Sequence, residues 1–421
     1  MGRLAALGAV LLACLVTACG DDESSGSRTL NWFIAQQPGG ALQKIADRCT
    51  QQSDGRFKIN IELLPAQADA QREQLVRRLG AEDSTIDIIG MDVVWTGEFA
   101  NAGWVREVPE DKRDAVTQNV FDSVLKTAQF EDKLYGAPIW SNTQLLWYRK
   151  DRVGDTPPKT WDEMIDKAEE IGPKEGQIQV QANRYEGLVV WANAMIASAG
   201  TAILTGPESI GLNPEKTQRA LSVMARLGAS NVHAPDIDTS NEGTSAIGFE
   251  SGASSFMINY PFVYGSAKAN APDVFKQLRA AKYPQVDPGQ PSAPPLGGFN
   301  LAVSQYSKSP DLAWDAVQCL VSEENQLQVT ELEGLPPVRT DLFDREQVKK
   351  AYPDFADVVK ESIQDASPRP AESPAYTDLS LAIQRALHPV TKIGTSKDDV
   401  KSAYDTLKDN VEKAIKREGL L

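Results

Sequence analysis

The chain has 421 residues, 58 of them acidic and 43 basic, for a formal net charge of −15. That balance excludes the basic patches that nucleic acid demands, and the length exceeds what one compact core holds, so two domains are expected. With two histidines, no HExxH, no closely spaced cysteine pair and no phosphate-cradling glycine loop, no metal or nucleotide cofactor is expected.

The apolar run from Leu4 to Ala18 is about fifteen residues long, short of the roughly 20 that span a bilayer. Arg3 supplies the positive flank of an export signal. Val16-Thr17-Ala18-Cys19 resembles the bacterial lipoprotein signal, in which the cysteine thiol is acylated and becomes the first mature residue. Two or three acyl chains anchor far more firmly than one. An ordinary secretory signal with an incidental cysteine is the alternative. The polar, glycine-bearing residues 19–28 read as a tether, because they cannot bury enough surface to fold.

"TLNWFIA" (29–35) predicts a strand, and Leu42, Ile45, Ala46 and Cys49 recur at helix spacing. "RFKINIELL" (56–64) alternates as a strand, 69–82 is helical, and "IDIIGMDVV" (86–94) has the near-continuous apolar character of a buried parallel strand. Strands alternating with helices predict an α/β sheet. In "TWDEMIDKAEEIG", Thr160 and Glu163 form a capping-box pattern. Residues 186–200 and 213–230 read as helices, and "SFMINYPFV" (255–263) as a strand ending in an aromatic loop. The proline- and glycine-rich residues 283–298 cross back to a strand at "FNLAVS" (299–304), and 340–421 is mostly helical.

Cys14 leaves with the signal and Cys19 carries lipid, which leaves Cys49 and Cys319 outside the cell, where disulfides persist. They are predicted to pair, two separately buried thiols being the alternative. Such a bridge could contribute roughly 4–5 kcal/mol. It also requires the chain after residue 300 to return to the first domain, which implies a cleft with a hinge. The expected organisation is a signal at 1–18, a tether at 19–28, an N-terminal α/β lobe at 29–144 and a second α/β lobe at 145–300. Residues 301–345 return to the first lobe, and a helical region at 346–421 packs across both.

The segments "LNWFIAQQPGG", "EQLVRRLGAEDSTIDIIGMDVVWTGEFANAGWV", "KLYGAPIWSNTQLLWYRKD", "EGLVVWANAMIASAG", "FESGASSFMINYPFV", "LGGFNLAVS" and "GLPPVRTDLF" stand in a specific order over residues 29–345. In that order the chain resembles the extracellular solute-binding lipoproteins of carbohydrate ABC importers, and within them the trehalose-binding lipoproteins of mycobacteria. The resemblance implies a two-lobed, periplasmic-binding-protein-like α/β fold (type II) with a hinge. It implies a monomeric receptor, not an enzyme, that takes trehalose or a related disaccharide to an ABC permease from the outer face of the membrane.

Sugars present hydroxyls at their edges and C–H groups on their faces, so carboxylates, amides and aromatic rings are the expected partners. The resemblance places Asp92, Asn142 and Glu242 on hydroxyls. Asp92 could instead cap the following segment, Asn142 could be a turn residue, and Glu242 a first-turn helix acid. Tyr260 is the expected stacking platform, and Trp140 either stacks or packs. Gly298 and Phe299 would lie along the cleft. Gln36 and Gln37 are candidates for hydroxyl recognition, and Arg339 for a clamp or a structural role. Departures stand at Pro38 and Phe299 and at Ala382, where the relatives carry Asp, Leu and Arg, with Arg385 one turn on from Ala382. They leave the sugar open to an isomeric or extended α-glucoside. The rival readings are a binder of another solute, such as a glycerophosphodiester or an oligosaccharide, and a secreted glycosidase.

Overall fold

The computed structural model describes residues 27–65 and 67–417. The segment expected to be an export signal, Cys14, the expected lipidation site Cys19 and nearly all of the expected tether lie outside the described residues. Among the described residues, nine strands build the two larger sheets. In chain order they are β1 (Arg28–Ala35), β2 (Phe57–Leu64), β3 (Ile88–Asp92), β4 (Ala137–Thr143), β5 (Leu145–Arg149), β6 (Gln177–Gln179), β7 (Ser254–Asn259), β8 (Leu278–Ala281) and β9 (Leu296–Val303).

The first sheet runs β2-β1-β3-β9-β4 and the second β8-β5-β7-β6. Strands β1, β2 and β3 are parallel, as their alternation with helices requires. Strand β9 closes that sheet antiparallel to both β3 and β4. One residue, Gln144, separates β4 in the first sheet from β5 in the second. The chain returns through residues 282–295 into β9. The result is a two-lobed α/β fold with a cleft between lobes, at the carboxyl ends of β1 and β3.

Each lobe has its own core. Trp32, Ile34, Ile45, Ile88, Leu301 and Val317 are fully buried in the first. Leu146, Trp161, Trp191, Phe256 and Leu221 are buried in the second, together with Leu379 and Leu407 of the last two helices, Tyr376–Leu387 and Lys397–Ile415. A third cluster joins Leu145, Trp147 and Met257 of the second sheet to Phe121, Val338 and Val359, and so underlies the crossing at Gln144. The helix Glu186–Ser198 is buried on every face, which explains why its sequence is apolar all round rather than striped. Thr160 and Glu163 form the capping box expected from their spacing, with the Glu163 N–H donating to Thr160 Oγ1 at 3.1 Å.

The helix Ala41–Gln52 starts without a side-chain cap of its own. Its orphan N–H groups are taken instead by Glu333, nearly 300 residues away: Gly39 N–H reaches Oε2 at 2.6 Å and Ala41 N–H reaches Oε1 at 2.8 Å. Position 39 must be glycine, because a Cβ there would lie 2.2 Å from the Leu332 carbonyl oxygen. A carboxylate at this end also meets the positive end of the helix dipole. Glu333→Gln is therefore expected to cost about 1–2 kcal/mol, read as a lower midpoint in urea unfolding.

Candidate functional site

Three neighbouring strands of the first sheet bring Asp92, Phe299 and Trp140 into one row. Phe299 of β9 pairs with Asp92 of β3 on one side and with Trp140 of β4 on the other. The Trp140 and Phe299 rings lie 5.4 Å apart, tilted by 43°. Next to them Gly297 pairs with Asn142. Gly298 has φ +132°, and a Cβ there would meet the Trp140 carbonyl oxygen at 2.3 Å. The two glycines thus sit inside a strand, where β4 crowds the backbone, and not in a turn.

The second lobe faces this row with the first turns of two helices. Glu186 opens Glu186–Ser198 and Glu242 opens Glu242–Glu250. Tyr260 follows β7 and is turned by Pro261 into the next helix, Phe262–Asn270. The buried Asn259 fixes this side: its amide donates to the Glu242 carbonyl at 2.9 Å, and its Oδ1 accepts the Tyr260 N–H at 2.9 Å. Trp147 Nε1 in turn donates to the Asn259 carbonyl at 2.9 Å.

Between the lobes lies a cleft of about 490 Å³, within the range that holds small ligands. Gln37, Asp92, Trp140, Asn142, Glu242, Tyr260, Gly298 and Phe299 all line it. Gln36 and Arg339 do not. Gln36 is exposed at the end of β1, on the opposite side of the chain from Gln37. Arg339 turns onto its own neighbour Asp341, with Nε at 3.1 Å and Nη2 at 2.7 Å from the carboxylate oxygens. The segment "GLPPVRTDLF" contributes Leu335 to the cleft instead. Asp92 is not a helix cap either: its Oδ1 accepts the Val94 N–H at 3.2 Å, and the next helix begins only at Thr96.

The arginine of the cleft is Arg369, from the stretch that precedes Tyr376–Leu387. It is buried; Nη1 bonds Glu186 Oε1, and Nη2 lies 3.4 Å from Asp92 Oδ1. Glu186 is also held by the Tyr376 hydroxyl and by Ser380 Oγ. Arg369 therefore ties a carboxylate of the first lobe to one of the second. Ala382, by contrast, is buried in the second-lobe core, so the late helix supplies no guanidinium at that position. Asn183, Tyr185 and Asn241 complete the second-lobe wall.

The electrostatics follow from burial. Desolvation raises the pKa of Asp92, with Arg369 opposing and Glu186 reinforcing. Desolvation likewise raises Glu242, against the pull of its own backbone N–H, of the nearby Tyr185 hydroxyl and of the Arg369 charge. The hydroxyls of Tyr185 and Tyr260 are raised by burial and then by the Glu242 carboxylate, so both stay protonated donors. The cleft thus presents three carboxylates, amides, phenol donors and ring faces to one arginine. Among the described residues no group of three or more His, Cys, Asp and Glu side chains is placed to hold a metal, and no helix is long and apolar enough to cross a membrane.

Comparison with known proteins agrees with this architecture. Residues 44–356 match the family described as bacterial extracellular solute-binding protein. A probable ABC transporter-binding protein of Deinococcus radiodurans is 27% identical over 82% of this chain and 85% of its own length. The galactooligosaccharide-binding protein of Bacillus subtilis is 22% identical over 95% and 94%. Maltose-bound MalE3 of T. maritima superposes with a TM-score of 0.80 at 25% identity, covering 91% of this chain and all of that one. The chain belongs to the bacterial extracellular solute-binding protein family and is a binding protein, not an enzyme.

Proposed function

We propose that this protein is the lipid-anchored extracellular receptor of a carbohydrate ABC importer, and that it captures trehalose or a related α-glucoside and hands it to the permease as a monomer. The observation that carries the reading is one cleft in which Asp92 and Asn142 of one lobe face Glu242 and Tyr260 of the other. Carboxylates and amides suit the hydroxyl edge of a sugar, and the Tyr260, Trp140 and Phe299 rings suit its faces. Three carboxylates against one arginine disfavour a phosphodiester, which calls for arginines or free helix N-termini. The relatives named for galactooligosaccharide and maltose support a sugar as the ligand class. Asp92, Glu186 and Glu242 sit on opposite lobes of a hinged cleft, which suits capture by closure.

Calorimetry on the mature receptor tests this, with trehalose first, then maltose and isomeric disaccharides, and glycerophosphocholine as the contrary probe. One-site binding of a disaccharide is expected, with Glu242→Gln and Tyr260→Ala each weakening it roughly 5- to 150-fold, the equivalent of about 1–3 kcal/mol. Binding of glycerophosphocholine in preference to every sugar would overturn the reading. For the anchor, Cys19→Ala is expected to release the protein from membranes into the medium; retention in the membrane fraction would refute lipidation at that residue.

A further inference from the structure

The gap between the lobes does not end at the groups described above. Ala68, Asp92 and Glu186 each border two cavities, the cleft and a second chamber of about 280 Å³. The second chamber lies between the first turn of the helix Ala68–Gly80 and one face of Tyr376–Leu387. Thr377, Ser380, Leu381 and Gln384 fall on that face by their helical spacing. Ala68 borders both spaces beside the Asp92 and Glu186 carboxylates, and its side chain is a single carbon.

The lining has the two-sided character of the cleft itself. Trp95 offers an aromatic wall, backed by Phe99 with ring centroids 5.9 Å apart and planes within 15°. Leu381 is 41% exposed, unusual for a large apolar side chain in this protein. The Thr377 hydroxyl and the Gln384 amide beside Leu381, and the Asp69 carboxyl of the helix Ala68–Gly80, supply the polar lining. The basic group here, Arg72, is already paired with Glu98, so among the described residues the chamber has no free cation to attract an anionic ligand. Asp69 is solvent-exposed at the edge of the chamber, and its pKa is raised, first by partial desolvation and then by the Glu186 carboxylate, with Arg72 opposing. Such a carboxyl gains from a hydroxyl donor.

We propose that the second chamber is a subsite for a further sugar ring, so that the full ligand is an oligosaccharide of at least three units running from the main cleft past Asp92 and Glu186. The inference rests on the sugar-binding reading above and adds the length of the ligand. A gap that merely vanishes when the lobes close is the competing account.

The test compares pairs of probes by calorimetry on the mature receptor: trehalose with 4-α-glucosyl-trehalose, and maltose with maltotriose and maltotetraose. In at least one pair the longer sugar is expected to bind ten-fold tighter or more. Thr377→Trp/Leu381→Trp, which fills the chamber without touching the main cleft, is expected to erase that advantage while leaving the disaccharide within two-fold of wild type. Asp69→Asn is expected to weaken only the longer sugar. If every longer sugar binds no better than its shorter partner, or if the filled variant weakens both members of a pair equally, the subsite is refuted and the receptor reading stands. If no sugar of either length binds, the receptor reading falls and the subsite with it.

Discussion

Arg369→Met is expected to destabilise the protein by about 3–5 kcal/mol and to abolish ligand capture together with it. Methionine keeps much of the volume but removes the charge that Glu186 and Asp92 share. The side chains of all three are largely withdrawn from water, at 4% exposure for Arg369, 16% for Glu186 and 20% for Asp92, so solvent cannot replace the lost partner. Glu186 keeps the Tyr376 and Ser380 hydroxyls. Asp92 keeps only a backbone N–H from Val94 among its hydrogen bonds in the described residues. The two carboxylates would then repel across the very gap that must close on a ligand. A second change, Glu186→Gln, removes one of them and is expected to recover a large part of the lost stability. That recovery separates a charge effect from a packing effect, because packing loss at position 369 would persist in the double variant.

The same prediction carries a sign in pH. Burial raises the Asp92 pKa in the folded state, and Arg369 is the strongest influence lowering it. A raised carboxyl pKa means that the folded form binds protons more readily than the unfolded one, so stability falls as pH climbs from the ordinary carboxylate range through the raised value. Without Arg369 the Asp92 pKa rises further. The deficit of the variant should therefore be smaller near pH 4, where the raised Asp92 carboxyl takes up a proton in the folded variant, and should widen toward pH 8. Urea unfolding of wild type and variant at the two pH values measures this. Equal stabilities at pH 8, or a deficit that shrinks as pH rises, would refute the assignment of Arg369 as the bridging charge.

Why this arginine escaped the sequence reading is physically plain. It stands between Pro368 and Pro370, in a stretch with no hydrophobic period and no cap pattern, and it meets Asp92 only because the chain folds across 277 residues. Glu186 carries no signal of its own in the sequence, since the first turn of a helix favours acids whether or not they face a ligand. What could be read was local and periodic. The alternation of strand and helix set the first sheet, and the position of Asp92 at the carboxyl end of β3 put it at the mouth of the cleft. Gln36 and Gln37 mark the boundary between the two cases. Successive residues of an extended chain point to opposite sides, so one of the pair had to miss the cleft, and only the register of β1 in the sheet decides that it is Gln36. Of the two roles offered for Arg339, a clamp or a structural one, the geometry matches the structural: an aspartate two residues on, Asp341, pairs with its fork.

The second large effect lies away from the cleft, in the bridge between Cys49 and Cys319. Removing it by Cys49→Ala/Cys319→Ala is expected to lower stability by about 4–5 kcal/mol, the scale set by loop closure in the unfolded chain, since the bridge spans 270 residues of sequence. The folded form should change little. The helices Ala41–Gln52 and Pro310–Leu320 that it joins already bury Ile45, Ala46, Ala313 and Val317 in one core. Asn325 adds a polar clamp, its amide donating to the Cys319 carbonyl at 2.7 Å while its Oδ1 accepts from Arg48 Nη1 at 2.6 Å. Neither cysteine lines the cleft. The double variant should therefore bind its sugar with wild-type affinity while unfolding at a much lower denaturant concentration. The wild type should show the same drop when unfolded in the presence of a reducing agent. A midpoint unmoved by either treatment would mean that the helix packing alone holds residues 310–320 to the first lobe, and that the bridge adds nothing to the fold. A loss of sugar affinity would mean that the bridge shapes the cleft from a distance, which the intact packing around Asn325 argues against.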